Sequence, residues 1–475
     1  MQSKQLEAAA TTGSVIVNWT GPQDPDRPCN WSIARKWSIV VTTTLMTFVV
    51  SFGSSVFSAI IEETRNEFET TAKITTLGIS LYVLGFASGP LIFGPASELY
   101  GRTQPLWLGY VGFLIFQVAL GVAKDIETVL IVRFFAGMFG SAPLAITGGM
   151  YVDFLDPVGR GLATAIFSIG VYCGPVTGPI VGSLIIRRLS WRWTAWITLI
   201  AGFFVFVLAF MCTPETSEAV LLKRKAQKLR FETFDWALHA KSEETPTSAR
   251  YFVEKYLTKP VRMFISEPIL IIFTLYMSLV YGILYLSLTL YPFAFHITRG
   301  WAPLVASLPF LGVLLGIMVA CVIIGAHSVW HGKRLQAGAV MAPEDRLLPV
   351  ILGAILLPAG LFTFALTSNT SVSWIPQVLS GAPIGCGIVL VFMCSNLYII
   401  EVYLYDANSA LAINVLLRSI VAAAFPVLST EMFSSMGVRW SGIMLGLICV
   451  MLAPFPIVLI KYGSRVRAWS KFARE

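Results

Sequence analysis

Charged residues are scarce in this sequence. Asp, Glu, Lys and Arg make up 13% of its 475 residues, whereas a soluble domain has about 25%. Apolar residues make up 56%, and the mean hydropathy is +0.74. This shortage of charge excludes an ordinary soluble domain. It predicts a membrane protein with room for about twelve spans of ~20 residues each.

Histidine is also rare, since the chain has four. A polytopic membrane enzyme needs a cluster of His, Asp or Cys near one membrane face, and four widely spread histidines do not supply one. His327 and His331 lack an acidic or cysteine partner at metal spacing, so a solvated loop is predicted there rather than a zinc site. The seven cysteines form no CxxC pair and are expected to be packing residues. We therefore predict no cofactor and no metal.

Acidic residues are missing from the middle of every predicted span. Glu62, Glu63, Glu267, Glu401 and Glu431 all fall near span ends. A polycation would have no deep countercharge, so a polyamine is a poor candidate substrate. Neutral or weakly acidic organic molecules are favoured instead.

The apolar runs predict an all-α membrane protein with two six-helix, pseudo-symmetric halves. The predicted spans lie near residues 37–61, 74–96, 105–122, 126–150, 161–185 and 194–212, and then near 268–293, 303–325, 349–367, 374–400, 409–431 and 440–461. Five units follow: a cytoplasmic tail 1–36, a half 37–212, a cytoplasmic central loop 213–267, a half 268–461 and a cytoplasmic tail 462–475.

The distribution of basic residues predicts the orientation. The first 36 residues are polar and do not resemble a secretory signal, so the amino terminus is expected in the cytoplasm. With that orientation, most of the 34 Lys and Arg residues fall on cytoplasmic segments, as the positive-inside rule requires. The net charge of +8 therefore needs no nucleic-acid partner. The bilayer is the predicted environment, and Asn369 is the N-x-S/T site predicted to lie outside.

Four glycines recur at intervals of four in the fifth predicted span. Residues four apart lie on one side of a helix, and small residues there let a second helix approach to backbone contact. Two prolines within the stripe remove helix hydrogen bonds and bend the span. A close-packed, bent helix suits two halves that rock against each other. The stripe consists of Gly170, Gly174, Pro175, Gly178, Pro179 and Gly182.

A second motif, Gly94 to Arg102, follows the second span, and its two glycines, Gly94 and Gly101, frame a predicted tight turn. A similar stretch, Gly325 to Arg334, follows the second span of the other half. Repeated halves are common in transporters.

These features resemble the major facilitator superfamily, and more narrowly the fungal twelve-span drug:proton antiporters, over nearly the whole chain. The loop Gly94 to Arg102, the glycine-proline stripe and Arg133 with Gly137 are similar to motifs of the family; the stripe is typical of exporters. The chain departs from the family at Glu98, Leu99 and Thr103 in the loop. It also has Thr289 where fungal relatives often carry an acid. The proton-carrying residue is therefore not identified.

Arg133 lies inside the fourth predicted span. A charge at that depth needs a partner or water. The resemblance implies that this residue couples protonation to substrate binding; an arginine clamped to backbone carbonyls for packing is the structural alternative. Arg418 in the eleventh span follows the same logic without a matching family motif.

Three charges at one membrane face form a predicted gate. Glu98 and Arg102 are four apart and can pair, and Asp153 is within plausible reach of Arg102. The resemblance implies a latch that holds the halves when the cavity faces out, whereas solvated helix-end charge is the alternative.

In the family, spans one, four, seven and ten line a central cavity. That likeness implies cavity roles for Phe52, Tyr281, Tyr285, Asn396 and Tyr398, for which packing or lipid contact is the alternative. We expect a monomeric plasma-membrane exporter of a hydrophobic drug, toxin or secondary metabolite, driven by proton antiport. The competing functions are a nutrient importer or facilitator and, in another class, a membrane enzyme or sensor.

Overall fold

The computed structural model describes residues 16–244, 254–339, 342–403, 406–468 and 470–472. Within these ranges the chain is α-helical, and twelve of its segments are long and apolar enough to cross a membrane. We number them span 1 to span 12. They are Ile33–Glu67, Ala72–Leu99, Thr103–Gly121, Ile126–Phe154, Pro157–Ile186, Trp193–Cys212, Pro268–Thr298, Pro303–Gln336, Pro343–Leu366, Trp374–Val402, Ala407–Ser429 and Glu431–Ala468.

The predicted all-α fold with twelve spans is confirmed. Some spans begin or end at other residues than predicted. Span 8 continues as one helix to Gln336, well past its predicted end. His327 and His331 therefore lie on a helix, and the predicted solvated loop is wrong. The helix Ala407–Leu452 breaks at Gly437, whose φ of 72° is in the left-handed region that glycine adopts without cost. This break lies within span 12.

The two halves repeat one close helix crossing. A Cβ added to Gly137 of span 4 would lie 2.1 Å from the carbonyl oxygen of Tyr82 on span 2. A Cβ added to Gly316 of span 8 would lie 1.9 Å from the carbonyl oxygen of Ala382 on span 10. Spans 2 and 4 are the counterparts of spans 8 and 10. The pairs thus meet backbone to backbone, as small residues permit.

The described residues before span 1, those between spans 6 and 7, and residues 470–472 lie at one end of the bundle, which we call the tail end. The other end is the far end. At the tail end, Lys225 of the helix Glu218–Thr233 pairs with Asp24 at 3.2 Å, and Arg27 pairs with Glu218 at 2.9 Å. Burial opposes ionisation of Asp24, but hydrogen bonds from Thr20, Asp26 and Lys225 outweigh it and hold the pKa of this carboxyl well below its ordinary value.

The halves contact each other along spans 5 and 8 and along spans 2 and 11. A Cβ on Gly161 would lie 2.5 Å from the Ser328 hydroxyl oxygen, and one on Gly332 would lie 2.3 Å from the Val158 side chain. Gly332 is helical, and the turn after span 8 comes at Gly338, where φ is 79°. Its counterpart in the first half is Gly101, with φ of 93°. The alignment of the two repeated stretches therefore pairs Gly101, which lies in a turn, with Gly332, which lies in a helix.

Candidate functional site

The glycine stripe of span 5 packs against span 1 of the same half. A Cβ added to Gly170 would lie 2.5 Å from the Thr44 carbonyl oxygen, and one on Gly174 would lie 2.8 Å from the Phe48 carbonyl oxygen. A Cβ on Gly178 would lie 2.0 Å from the Ser55 hydroxyl oxygen. Pro175 and Pro179 are buried in the same helix, Pro157–Ile186. The stripe thus fixes span 1 against span 5 rather than one half against the other.

Arg133 lies on span 4 and is 1% exposed. Its guanidinium donates three hydrogen bonds to backbone carbonyls: to Gly53 at 2.6 Å, to Ser54 at 2.8 Å and to Gly78 at 2.9 Å. The ring of Tyr82 also faces the guanidinium, at 4.4 Å. This is the geometry of the backbone clamp, because each nitrogen of the fork has a partner.

Two of the carbonyls bound by Arg133, those of Gly53 and Ser54, lie at an irregular point of span 1. The α-helix Ile33–Ser55 passes into the 3₁₀-helix Val56–Ile60 directly after them. Hydrogen-bond geometry is poorer in a 3₁₀ segment. The guanidinium therefore stabilises the irregular turn and ties span 4 to spans 1 and 2.

A small central cavity lies between the two halves. Its lining comes from spans 2 and 4 of the first half and from spans 7 and 11 of the second. The volume of about 40 Å³ exceeds what one water needs and is far below the several hundred Å³ of a site for an organic ligand. The lining residues are Phe86, Pro90, Ser141, Leu144, Ala145, Tyr281, Val415, Arg418 and Ser419.

Arg418 on span 11 has surroundings unlike those of Arg133. Its guanidinium carbon lies 4.4 Å from the centre of the Phe392 ring and 5.0 Å from that of Tyr281. The Nε atom is buried without a hydrogen-bond partner, and no acidic residue lines the cavity around it. A buried donor without a partner costs about 1–3 kcal/mol. Two cation–π contacts offset about 2 kcal/mol or more of the guanidinium's desolvation, but they give Nε no acceptor.

The other predicted cavity residues lie elsewhere in this closed arrangement. Tyr285 on span 7 exchanges a hydroxyl hydrogen bond of 3.1 Å with Ser54 on span 1. Phe52 stacks on Phe48. Tyr398 packs against Phe273 within the second half, at 5.2 Å between ring centres, and Asn396 is half-buried on the same helix. Of the five predicted residues, Tyr281 is therefore the one that lines the cavity.

The charge cluster at the tail end differs from the predicted one. Arg102 pairs with Asp153, with 3.0 Å between Nε and Oδ2, as expected. Glu98 does not pair with Arg102: it accepts hydrogen bonds from Tyr256 at 2.6 Å and from Asn408 at 2.5 Å. That predicted pair is wrong because Gly101 ends the helix, so the four-residue spacing no longer places the two side chains on one face.

Glu215 is the residue that sequence reasoning missed. Its carboxylate accepts hydrogen bonds from the backbone N–H groups of Arg102 at 2.9 Å and Thr103 at 3.2 Å, at the start of span 3. The neighbouring Thr216 hydroxyl donates to Asp153 at 3.1 Å. A carboxylate is stabilised at a helix amino terminus. The sequence signal for Glu215 was its position directly after span 6, because the ends of spans 2, 4 and 6 lie at the same end of the bundle.

The second half carries a counterpart cluster at the same end. Arg346, at the start of span 9, pairs with Glu401 near the end of span 10 at 2.7 Å. This repeats the pairing of Arg102 before span 3 with Asp153 at the end of span 4. In each half an arginine–carboxylate pair therefore joins the third and fourth spans. Such charge-assisted hydrogen bonds are stronger than those between neutral groups.

The two halves contact each other at both ends of the space between them. At the tail end, Glu98 of span 2 bonds Asn408 of span 11. At the far end, Lys73 of span 2 pairs with Glu431 of span 12 at 2.6 Å, and both side chains are exposed. Glu98 is thus a contact between halves, while the Arg102–Asp153 pair lies within one half. Thr289 on span 7 shares a 2.7 Å hydroxyl hydrogen bond with Ser429.

Comparison with known proteins identifies a family and shows similar chains. The model of the Major Facilitator Superfamily matches residues 43–426. The citrinin biosynthesis cluster MFS transporter of Monascus ruber is 46% identical, over 96% of this chain and 92% of its own. The cercosporin MFS transporter of Cercospora nicotianae is 39% identical, over 99% of this chain and 92% of its own. The solved proton:xylose symporter XylE is similar in fold, with a TM-score of 0.63 at 16% identity, covering 90% of this chain and 97% of its own.

Proposed function

This chain belongs to the Major Facilitator Superfamily, and on that basis we propose that it is a membrane transporter that exports a hydrophobic secondary metabolite or toxin. It is not an enzyme. Relatives that cover nearly the whole chain are named for citrinin and cercosporin, which supports export of such compounds. One structural observation carries the proposal: a largely apolar cavity lined by both halves, with a contact between the halves at each end. Alternating opening of the two ends would carry a molecule across.

Proton antiport is the proposed driving force. The carboxylates nearest to moving contacts are Glu98 and Asp153 at the tail end, with Glu215 beside them. We propose that Glu98 works as a latch between the halves, and that the Arg102–Asp153 pair keeps the first half rigid. Arg133 acts as a positioning residue that fixes span 1, and Phe52, Tyr285, Asn396 and Tyr398 become cavity residues when the halves part. An importer or facilitator remains the alternative within transport, and the exporter-type glycine-proline stripe argues against an importer.

A vesicle assay tests this function. Inside-out vesicles that contain the chain are incubated in a panel of compounds including citrinin and cercosporin, with and without a pH gradient. Uptake that rises with an acidic interior is expected for antiport. Uptake of a panel compound that is indifferent to the gradient would replace antiport by facilitated transport. No uptake of any panel compound would overturn the export function itself.

We place the tail end in the cytoplasm, the monomer in the plasma membrane and the bilayer around the twelve spans. Asn369 lies exposed at the far end, between spans 9 and 10. Asn30 lies at the tail end, where its amide donates to the carbonyls of Pro22 at 2.9 Å and Asp24 at 2.8 Å. A glycan on Asn30 in a glycosidase-shift assay would reverse this orientation, while a glycan on Asn369 would support it.

A further inference from the structure

We propose that Arg418 binds the anionic group of the exported molecule, so that this transporter selects aromatic organic anions. The inference rests on the proposed export function and names the class of its substrate. Arg418 lines the cavity from span 11, opposite Phe86 and Pro90 of span 2. A ligand held there contacts both halves, as a transported molecule must.

The guanidinium of Arg418 is prepared for an acceptor that the protein does not supply. Through the described ranges of the chain, Arg418 donates no hydrogen bond and forms no ion pair, and its buried Nε lacks a partner. The flanking rings of Tyr281 and Phe392 hold the guanidinium in place but offer no lone pair along its N–H bonds. Arginine has five donors in a planar fork that matches a carboxylate.

Two further hydroxyls near this guanidinium also lack partners. Ser419 lines the same cavity, and its buried Oγ has no hydrogen bond. The Tyr172 hydroxyl is likewise buried and unpaired. The Tyr172 ring packs edge-on against Phe392, with ring centres 5.7 Å apart. Both hydroxyls can donate to an oxyanion, and a carboxylate accepts about four hydrogen bonds. Unpaired donors on Arg418, on its neighbour Ser419 and on Tyr172, whose ring packs on the same Phe392, indicate a ligand group of negative charge.

The rest of the cavity wall indicates the remainder of the ligand. Phe86, Pro90, Leu144 and Val415 supply an apolar surface, which suits an apolar or aromatic body. The cavity of about 40 Å³ has room for the charged group of the ligand and little more. The body is therefore accommodated when the two halves separate at one end. An acid is absent from this lining, so a cationic substrate finds no countercharge here.

Equilibrium binding to the purified full chain in lipid nanodiscs tests the proposal. The probes are three acids, each with its neutral amide: benzoate and benzamide, 2-naphthoate and 2-naphthamide, 1-pyrenecarboxylate and 1-pyrenecarboxamide. We expect at least one acid to bind the wild type about tenfold more tightly than its amide, since charge-assisted hydrogen bonds are roughly twice as strong as neutral ones. Arg418→Gln should reduce the acid to the affinity of its amide. Arg418→Lys should give an intermediate affinity because the charge stays and the fork is lost.

Arg439→Gln is the matched control, because Arg439 is exposed on span 12 and should leave the acid preference unchanged. The proposal is wrong if no acid is preferred by the wild type, or if the preference survives in Arg418→Gln. These assays use no gradient, so they do not depend on proton coupling. Acid binding through Arg418 without export of any acid would leave this site intact and overturn the export function. If instead no acid binds, and Arg418→Gln exports neutral compounds as the wild type does, the export function stands and the acid site is wrong.

Discussion

Arg133 and Arg418 both lie within the membrane-spanning bundle, Arg133 buried and Arg418 half-buried, and they differ in what surrounds them. Three carbonyl oxygens within 2.9 Å satisfy Arg133. Arg418 lies between two aromatic rings and has a buried Nε with no acceptor. Burial of a charge alone therefore does not identify a functional site. A buried donor without an acceptor on the wall of the cavity between the halves does point to a ligand, because a bound ligand would offset its cost.

The region around Arg133 is constrained from two sides. Arg133 binds the carbonyls of Gly53 and Ser54, while Gly174 and Gly178 of span 5 press against neighbouring residues of the same turns of span 1. The second region has no equivalent stripe, since span 11, Ala407–Ser429, contains no glycine. The first half is thus built for fixed geometry around Arg133, and the interface near Arg418 is built from side chains that can rearrange.

Gly178→Leu should have the largest effect. Its Cβ would meet the Ser55 hydroxyl at 2.0 Å and the Val56 backbone nitrogen at 2.7 Å, and backbone cannot move aside cheaply. We expect a loss of about 3 kcal/mol or more in the free energy of unfolding and loss of export, with the protein still reaching the membrane. Gly148→Leu is the control, because that Cβ meets nothing within 4 Å. Normal export by inserted Gly178→Leu protein would contradict the close packing.

Arg133→Met should have the next largest effect. It leaves three buried carbonyls without their donor, at a cost of about 2–4 kcal/mol, and it should lower the melting temperature in detergent and impair export. Arg133→Lys should retain part of both, because one ammonium cannot reach all three oxygens in the same plane. Arg439→Met, on the exposed surface, controls for loss of an arginine. If Arg133→Met melts like the wild type and loses proton coupling alone, Arg133 acts in coupling rather than in packing.

Tyr172→Phe should have a smaller and more selective effect. The hydroxyl has no partner among the residues that the structure describes, so its removal should not lower the melting temperature. It should weaken binding of an aromatic acid by about two- to thirteenfold, which corresponds to one hydrogen bond of about 0.5–1.5 kcal/mol. Tyr110→Phe is the matched control, since the Tyr110 hydroxyl is also buried and unpaired but lies among Phe113 and Phe206. Equal acid affinity of Tyr172→Phe and the wild type would remove this hydroxyl from the site.

Lys73→Gln should have the smallest effect. This residue pairs with Glu431 across the far end, but both side chains are more than half exposed. An exposed pair contributes about 0–1 kcal/mol. The melting temperature should therefore stay within about 2 °C of the wild type. A large loss of stability would show that this pair holds the halves together more strongly than its exposure implies.

The sequence predicted the helices well because a membrane span needs a long apolar run, and each run is visible without its neighbours. The span 5 stripe was also readable, since four glycines at one spacing specify a close helix contact. The partner of that contact was not readable. Nothing in residues 170–182 distinguishes span 1 of the same half from a helix of the other half.

The site was harder to predict because it depends on contacts between distant parts of the chain. Arg418 and Arg133 look alike in sequence, each a single charge in an apolar span. Only folding brings Gly53, Ser54 and Gly78 to one of them and aromatic rings to the other. Glu98 shows the same limit: its spacing to Arg102 predicted a helical pair, but the turn at Gly101 separated them and directed Glu98 to Asn408 on span 11.

The most direct measurement of this difference compares the melting temperatures of Arg133→Met and Arg418→Met with that of the wild type, without ligand and in one detergent. Arg133→Met should melt lower. Arg418→Met should melt at the same temperature or higher, because the change removes a buried donor that has no acceptor. A similar large decrease in both variants would show that Arg418, like Arg133, is held by the protein itself, and would contradict its assignment to a ligand.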